Sequence, residues 1–469
     1  MPLILGANSV TGGYEVDNSL RFNRGSADHL TRSVSGSSTT KATYSVWFKK
    51  TINGVEQCLY AIDDVTNEVR INFTTSDTIQ VFHYAGGYTY QVATNRVFRD
   101  PSAFYNIMIV VDTTQGTDTN RVKIYVNGVQ ETSLATTNYP SQNTDSFFFQ
   151  SATLYLGVEE NGSSNPIDGY IAENIVCQGQ ALTPTDVGEF DEDSGIWKPI
   201  DVSGLTFGTN GFYLEFKDSS ALGDDTSGNG NDFTVNNLTS IDQTTDTPTN
   251  NFATMNPLGK SGAGTTGSPT FSNGNLTVAM SSDTFAYSTL GVAQGKWYFE
   301  FTQSENTADN DGYPIVGFNT TGIGAAGDTI GFRTPSGSDY RGQIGTSSIS
   351  NAFLSARVAN DVFGFYLDLD NSTLIIHKNG STYMNTGYTS GLDWSAGLTT
   401  TNTQTGFYFP YIQSNSSNAF TDSFNFGNAP YTISSGNADA NGHGNFEYSP
   451  TLGAVNYFAL CTKNLAEYG

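Results

Sequence analysis

Two short stretches carry residue types that could do chemistry. In "DDTSGNGND", Asp224, Asp225, Asn229, Asn231 and Asp232 offer carboxylate and amide oxygens, the hard donors that calcium takes. The spacing departs from an EF-hand loop, which also requires a terminal Glu. Calcium is the one cofactor these residues suggest; the competing reading is a polar turn. In "FHYAGGYTYQ", Tyr84, Tyr88 and Tyr90 surround Gly86-Gly87, and such rings could stack on a sugar. The competing reading is an ordinary aromatic hairpin packed on its own sheet. A third cluster, "DLDN" from Asp368 to Asn371, precedes a turn and reads as turn chemistry. His29, His83, His377 and His443 lie in no nucleophile motif, with His377 read as a strand surface residue, and no glycine-rich phosphate loop opens a helix. No catalytic residue is assigned.

The elements that must position these residues are strands. In "YSVWFKK", Tyr44, Val46 and Phe48 share one face while Ser45, Trp47 and Lys49 share the other, a period of two. "IMIVV", from Ile107 to Val111, is apolar throughout and reads as a strand covered on both faces. Two Asn-Gly pairs, Asn127-Gly128 and Asn379-Gly380, each follow an apolar run and predict tight hairpins, because a type I′ turn needs positive φ at both central positions. The repeated device implies two β domains. The expected fold class is all-β, two tandem antiparallel β-sandwiches with an irregular connector and C-terminal segment. The expected boundaries are residues 1–205, a polar connector at 206–262, a second sandwich at 263–428 and a docking segment at 429–469.

Charged residues make up only 14% of the chain, so surface polarity must come from Ser, Thr, Asn, Gln and Gly. The formal net charge of −25 argues against nucleic acid, whose binding relies on cations displacing counterions, and against an anionic membrane surface. Cys58, Cys177 and Cys461 form neither a disulfide framework nor a zinc spacing and read as buried free thiols. No stretch approaches the ~20 apolar residues of a membrane span. "MPLILGANSV" lacks the positive region of a signal peptide. An extracellular-type surface without a visible export signal fits a virion protein, made in host cytoplasm and exposed on the particle, and equally a type-I-type secretion route.

Several ordered motifs carry family resemblances. "SLRFN", "YSVWFKK", "FYNIMIVVDTT", "RVKIYVNGV", "LYLG" and "IDGYIAENIVCQGQALTPTDV" resemble the laminin-G-like, concanavalin-type jelly roll. "GKWYFEF", "IVGF", "DVFGFYLDLDNSTLIIHKNG", "FYFPYIQ" and "FNFG" resemble the SPRY sandwich. Loops at one end of SPRY modules read partner peptides, which makes Tyr340 and Arg341 in "PSGSDYRGQ" the candidates there. The order of the two domains resembles structural proteins of marine tailed phages. That resemblance implies a non-enzymatic fibre, adhesin or capsid or tail decoration, a homo-oligomer (a trimer by analogy) contacting other virion proteins and a host-surface glycan or protein. Concanavalin-type folds also host hydrolases with an E-x-D-x-x-E strand. The nearest text here, "EFDEDS" from Glu189, has Ser194 at the last position and follows the final strand, so a solvated acidic loop is expected. The alternative is a secreted bacterial carbohydrate-binding or glycan-hydrolysing protein.

Overall fold

The computed structural model describes residues 13–469 apart from 65, 262–267, 282–283, 304–314, 320–328, 334–340, 345–346, 350–351, 354–357, 385, 389, 394–405 and 415–419. The chain divides into two compact units, with the division between Asn250 and Asn251.

The first unit is a sandwich of two antiparallel sheets. One sheet runs Val129–Gln130, Val122–Val126, Tyr105–Asp112, Lys41–Lys50, Gly169–Gln178, Ser19–Phe22 and Gln243–Thr244, with Phe212–Leu214 also paired to Gly169–Gln178. The other runs Leu134–Asn138, Tyr88–Val97, Thr78–Tyr84, Glu68–Phe73, Gln57–Asp63, Ser151–Leu156, His29–Ser35 and Thr234–Asn236. Alternation sends Tyr44, Val46 and Phe48 inward to meet Tyr60, Val69, Ile71 and Phe73 of the facing sheet.

Of the stretch expected to be a connector, residues 206–250 belong to this sandwich, while Met255–Ser261 pairs with Phe285–Ser288 of the second unit. Tyr213 pairs with Ile175, Val235 with Leu30, and Thr244 with Ser19. Phe212, Leu214, Phe216, Leu222, Phe233 and Leu238 enter the core. Polar composition concealed these anchors because they are scattered singly among turn residues. Lys49, fully buried, reaches Asp246 at 2.8 Å.

The second unit also pairs two sheets. One contains Phe285–Ser288, Phe409–Gln413, Ile315–Asn319 and Thr329–Arg333; the other contains Phe420–Asn425, Lys296–Gln303, Val362–Asp368 and Thr373–Lys378. A phenylalanine stack fills the space between them, with Phe299 and Phe365 parallel at 4.6 Å. The segment after 428 does complete a sheet. Phe458–Ala459 lies parallel to Lys296–Gln303, and Phe458 stacks on Tyr468 of the C-terminal helix Thr462–Tyr468 at 3.9 Å. His377 corrects its assignment to the surface: it is only 9% exposed, with Tyr366 packed edge-on at 5.0 Å.

Both Asn-Gly hairpins form as the sequence demands. Asn127 and Gly128 have φ of 49° and 76°, and Asn379 and Gly380 have 51° and 75°. Each glycine is required twice over, since a Cβ at Gly128 would lie 2.4 Å from Trp197 and one at Gly380 would lie 2.6 Å from Tyr448. All three cysteines are buried and free.

Candidate functional site

Register across the second sheet of the first unit assembles a row of side chains on its outer face. Val69, Ile71, Val81 and Ile62 point into the core, so their strand neighbours point outward. Directly opposed pairs then run Ser33, Thr153, Asp63, Glu68, Tyr84 and Tyr88 across six strands. The next outward row contains Tyr155, Ala61, Arg70, Phe82 and Gln91. Opposed residues on one face stand close enough to act together.

The aromatic end of this row is exposed. Tyr84 is 41% and Tyr88 49% accessible, on either side of the turn at Gly86, whose φ is 70°. The two rings meet edge-to-face at 5.3 Å, and Tyr88 also meets buried Phe82 at 5.4 Å and 89°. They are held in place by other rings and leave surface free for a ligand. Tyr90 is different and corrects the sequence expectation. It alternates inward, is fully buried, and its hydroxyl donates to the Ser146 carbonyl oxygen at 3.1 Å. A bulge after His83 separates its direction from that of Tyr88. His83 stacks on Phe147 at 3.7 Å, and burial pulls its pKa down to about 4.

The polar end of the row is acidic. The Arg70 guanidinium is paired with Glu68, Glu159 and, at 3.4 Å, Glu56, and it also lies over the Phe82 ring at 5.3 Å. Glu160 is hydrogen-bonded to Asp63, and that contact holds its pKa up at about 7. Hydrogen-bonded carboxyls are closer than the ~5–5.5 Å of retaining or the ~6.5–9.5 Å of inverting glycosidases. Sequence reasoning missed Asp63, Glu68 and Arg70. The available signal was the outward phase of "EVRINF", but that phase names no cross-strand neighbour.

Two buried acids elsewhere serve the fold. Glu173 accepts from the Tyr213 hydroxyl at 2.5 Å and the Tyr14 hydroxyl at 3.2 Å, and burial raises its pKa to about 7. Glu300 accepts four bonds, as detailed below. "EFDEDS" lies at a small hairpin, where Lys198 pairs with Glu189 at 3.2 Å and with Asp191 at 3.4 Å.

In the Asp224–Asp232 loop, Asp225 points inward. Its Oδ1 accepts the Tyr213 and Ser227 amides at 2.9 and 3.0 Å, and its Oδ2 accepts the Asn231 amide at 2.8 Å and the Ser227 hydroxyl at 2.9 Å. Asp232 accepts the Asp225 amide at 2.9 Å. Asn229 and Asn231 donate their Nδ2 groups to the Gly211 carbonyl oxygen at 3.0 and 2.8 Å. Asp224 is exposed. The Asp225 carboxylate is thus engaged by backbone and hydroxyl donors, and among the described residues no three acidic, histidine or cysteine groups are placed to hold an ion. Asp225→Ala is expected to cost about 2–3 kcal/mol by orphaning buried amides, whereas chelator should leave the melting temperature unchanged; a chelator-dependent melt would restore calcium to this loop.

Tyr340 lies outside the described residues, as does the Arg341 side chain, whose backbone begins the strand Arg341–Ile344.

Residues 24–188 match the family model of the concanavalin A-like lectin/glucanases superfamily. The strands of the site fall within that span. Among curated proteins no significant relative matches the chain. Solved structures similar in fold include domains LG4-5 of the mouse laminin alpha1 chain, at 10% identity over 98% of this chain and 90% of that one, with a TM-score of 0.29. The SPRY domain of human HERC1 is 16% identical over 36% of this chain and 96% of its own, with a TM-score of 0.27. The Ruminococcus gnavus IT-sialidase CBM40 bound to alpha2,3 sialyllactose is 12% identical over 36% and 93%, also at 0.27.

Proposed function

We propose that this chain is a non-catalytic contact protein whose lectin-type sandwich holds a glycan at the Tyr84–Tyr88 end of the outer row. The observation that carries this reading is the braced and exposed aromatic pair, which offers ring surface to the apolar face of a sugar beside carboxylates that accept from its hydroxyls. The absence of turnover is part of the proposal. It is supported by the salt-bridged state of Glu68 and Glu159 and by the shared hydrogen bond of Asp63 and Glu160. The wider setting in this reading is the surface of a phage particle, where the chain serves as a fibre, adhesin or decoration, assembles as a homo-oligomer and meets other virion proteins. A surface with few charges of either sign and a net charge of −25 would keep many copies apart.

The full chain on a glycan array should bind at least one sugar class without releasing reducing ends. Tyr84→Ala and Tyr88→Ala should each weaken binding about tenfold, the scale of one lost aromatic contact together with its buried area. Turnover of a bound glycan would instead favour a secreted hydrolase. Absence of the protein from intact particles would defeat the virion setting while leaving the glycan site standing.

A further inference from the structure

Resting on the glycan-binding reading above, we infer that the ligand of this face is a glycan bearing free amino groups and that anionic glycans are excluded. Four carboxylates, Glu56, Asp63, Glu68 and Glu159, stand on or beside the outer row, together with the Glu160 carboxyl hydrogen-bonded to Asp63. Three of them, Glu56, Glu68 and Glu159, pair with the Arg70 guanidinium. Arg24, at the margin, uses Nη1 on the carbonyl oxygens of Glu56, at 2.9 Å, and Pro166.

The charged donors of the face are already used. Every guanidinium nitrogen of Arg70 already donates to a carboxylate: Nε to Glu68, Nη1 to Glu56 and Nη2 to Glu159. Asn72, two residues along the same outward phase, gives its Nδ2 to Glu56 at 2.9 Å. Its Oδ1 has no hydrogen-bond partner although the residue is only 2% exposed. Around Arg70, then, what remains for a charged ligand group is acceptors, the only other donors of the rows being neutral hydroxyls and the Gln91 amide. A carboxylate only accepts when ionised, so a bound group must donate, and a cationic donor gains most. Glu68 stands directly opposite Tyr84, whose exposed ring can also attract a cation through its face. An ammonium on a sugar stacked at Tyr84–Tyr88 would meet both. A sulfate or carboxylate there would meet neither and would enter the field of a strongly acidic chain. The lectin-type fold and the paired rings favour a glycan over a basic peptide as the bearer of that amine.

The test is calorimetric titration of the full chain near pH 6 with oligosaccharides of N-acetylglucosamine, their N-deacetylated counterparts, a sulfated glycan and an oligolysine peptide. The deacetylated oligomer should bind at least tenfold tighter than the acetylated one, the scale of one charge-assisted hydrogen bond. That advantage should shrink with added salt and disappear in Glu68→Gln and Asp63→Asn, each checked for unchanged melting. Tyr84→Ala should weaken both oligomers, and the deacetylated one more, since it also loses the cation–ring contact. The inference is overturned if the sulfated glycan binds as well, if the amine advantage survives both carboxylate variants, or if oligolysine binds as tightly and ignores Tyr84→Ala. Failure of all the glycans to bind would instead defeat the parent reading and this inference with it.

Discussion

A fragment of residues 13–205 is expected to stay unfolded, while residues 13–250 fold cooperatively. The difference lies in six apolar side chains, Phe212, Leu214, Phe216, Leu222, Phe233 and Leu238, that the shorter fragment lacks and the core requires. At ~1.5–3 kcal/mol each, their loss alone amounts to about 9–18 kcal/mol, against a typical total stability of ~5–15 kcal/mol. Electrostatics adds to the loss. Lys49 is fully buried, and without Asp246 its ammonium has lost its carboxylate partner, a change that typically costs ~3–5 kcal/mol. Arg32, mostly buried, also loses the Asn210 carbonyl oxygen that it holds at 2.9 Å. Circular dichroism and urea unfolding of the two fragments would decide the matter. Cooperative unfolding of 13–205 would show that 206–250 merely decorates the sandwich. Asp246→Ala in the full chain isolates the ion pair from the missing strands.

Glu300→Ala should detach the C-terminal segment of the second unit. The carboxylate is fully buried and accepts the Tyr448 and Glu447 amides at 2.7 and 3.0 Å, the Asn425 Nδ2 at 2.9 Å and the Tyr298 hydroxyl at 3.0 Å. Two of those donors belong to the segment after 428, so one side chain ties that segment to the Lys296–Gln303 strand. Orphaning the buried donors costs about 3 kcal/mol or more, which for a unit of this size lowers the melting temperature by about 6–12 °C. Burial also holds the Glu300 pKa up at about 7, above its ordinary value. The folded state therefore keeps a proton that the unfolded chain releases. The associated stability is fully present below about pH 4.5 and is lost as pH rises through about 7. The melting transition of the second unit should fall between pH 5 and pH 8 in the native chain, and Glu300→Gln should flatten that dependence. A native melt that rises over this range would contradict the assignment.

Local physics made the framework legible. The Asn-Gly pairs specified two hairpins because few other dipeptides accept positive φ twice, and alternation in "YSVWFKK" named the inward face before any partner was known. The same reasoning found the exposed rings at Tyr84 and Tyr88. It included Tyr90 by proximity in sequence, because the bulge that turns Tyr90 inward is a property of the pairing. It could not see that Asp225 accepts from the Tyr213 amide, because Tyr213 lies outside the motif.

The sequence by itself determined the β class, the hairpins, the buried thiols and the two-unit plan, all of which follow from periodicity and turn chemistry over a few residues. Only the tertiary structure decided that 206–250 completes the first sandwich and that the tail completes the second. It alone brought Asp63, Glu68, Tyr84 and Tyr88 into one row. Those outcomes depend on strand register, and register is set by the summed burial of whole faces, which no single stretch of chain encodes.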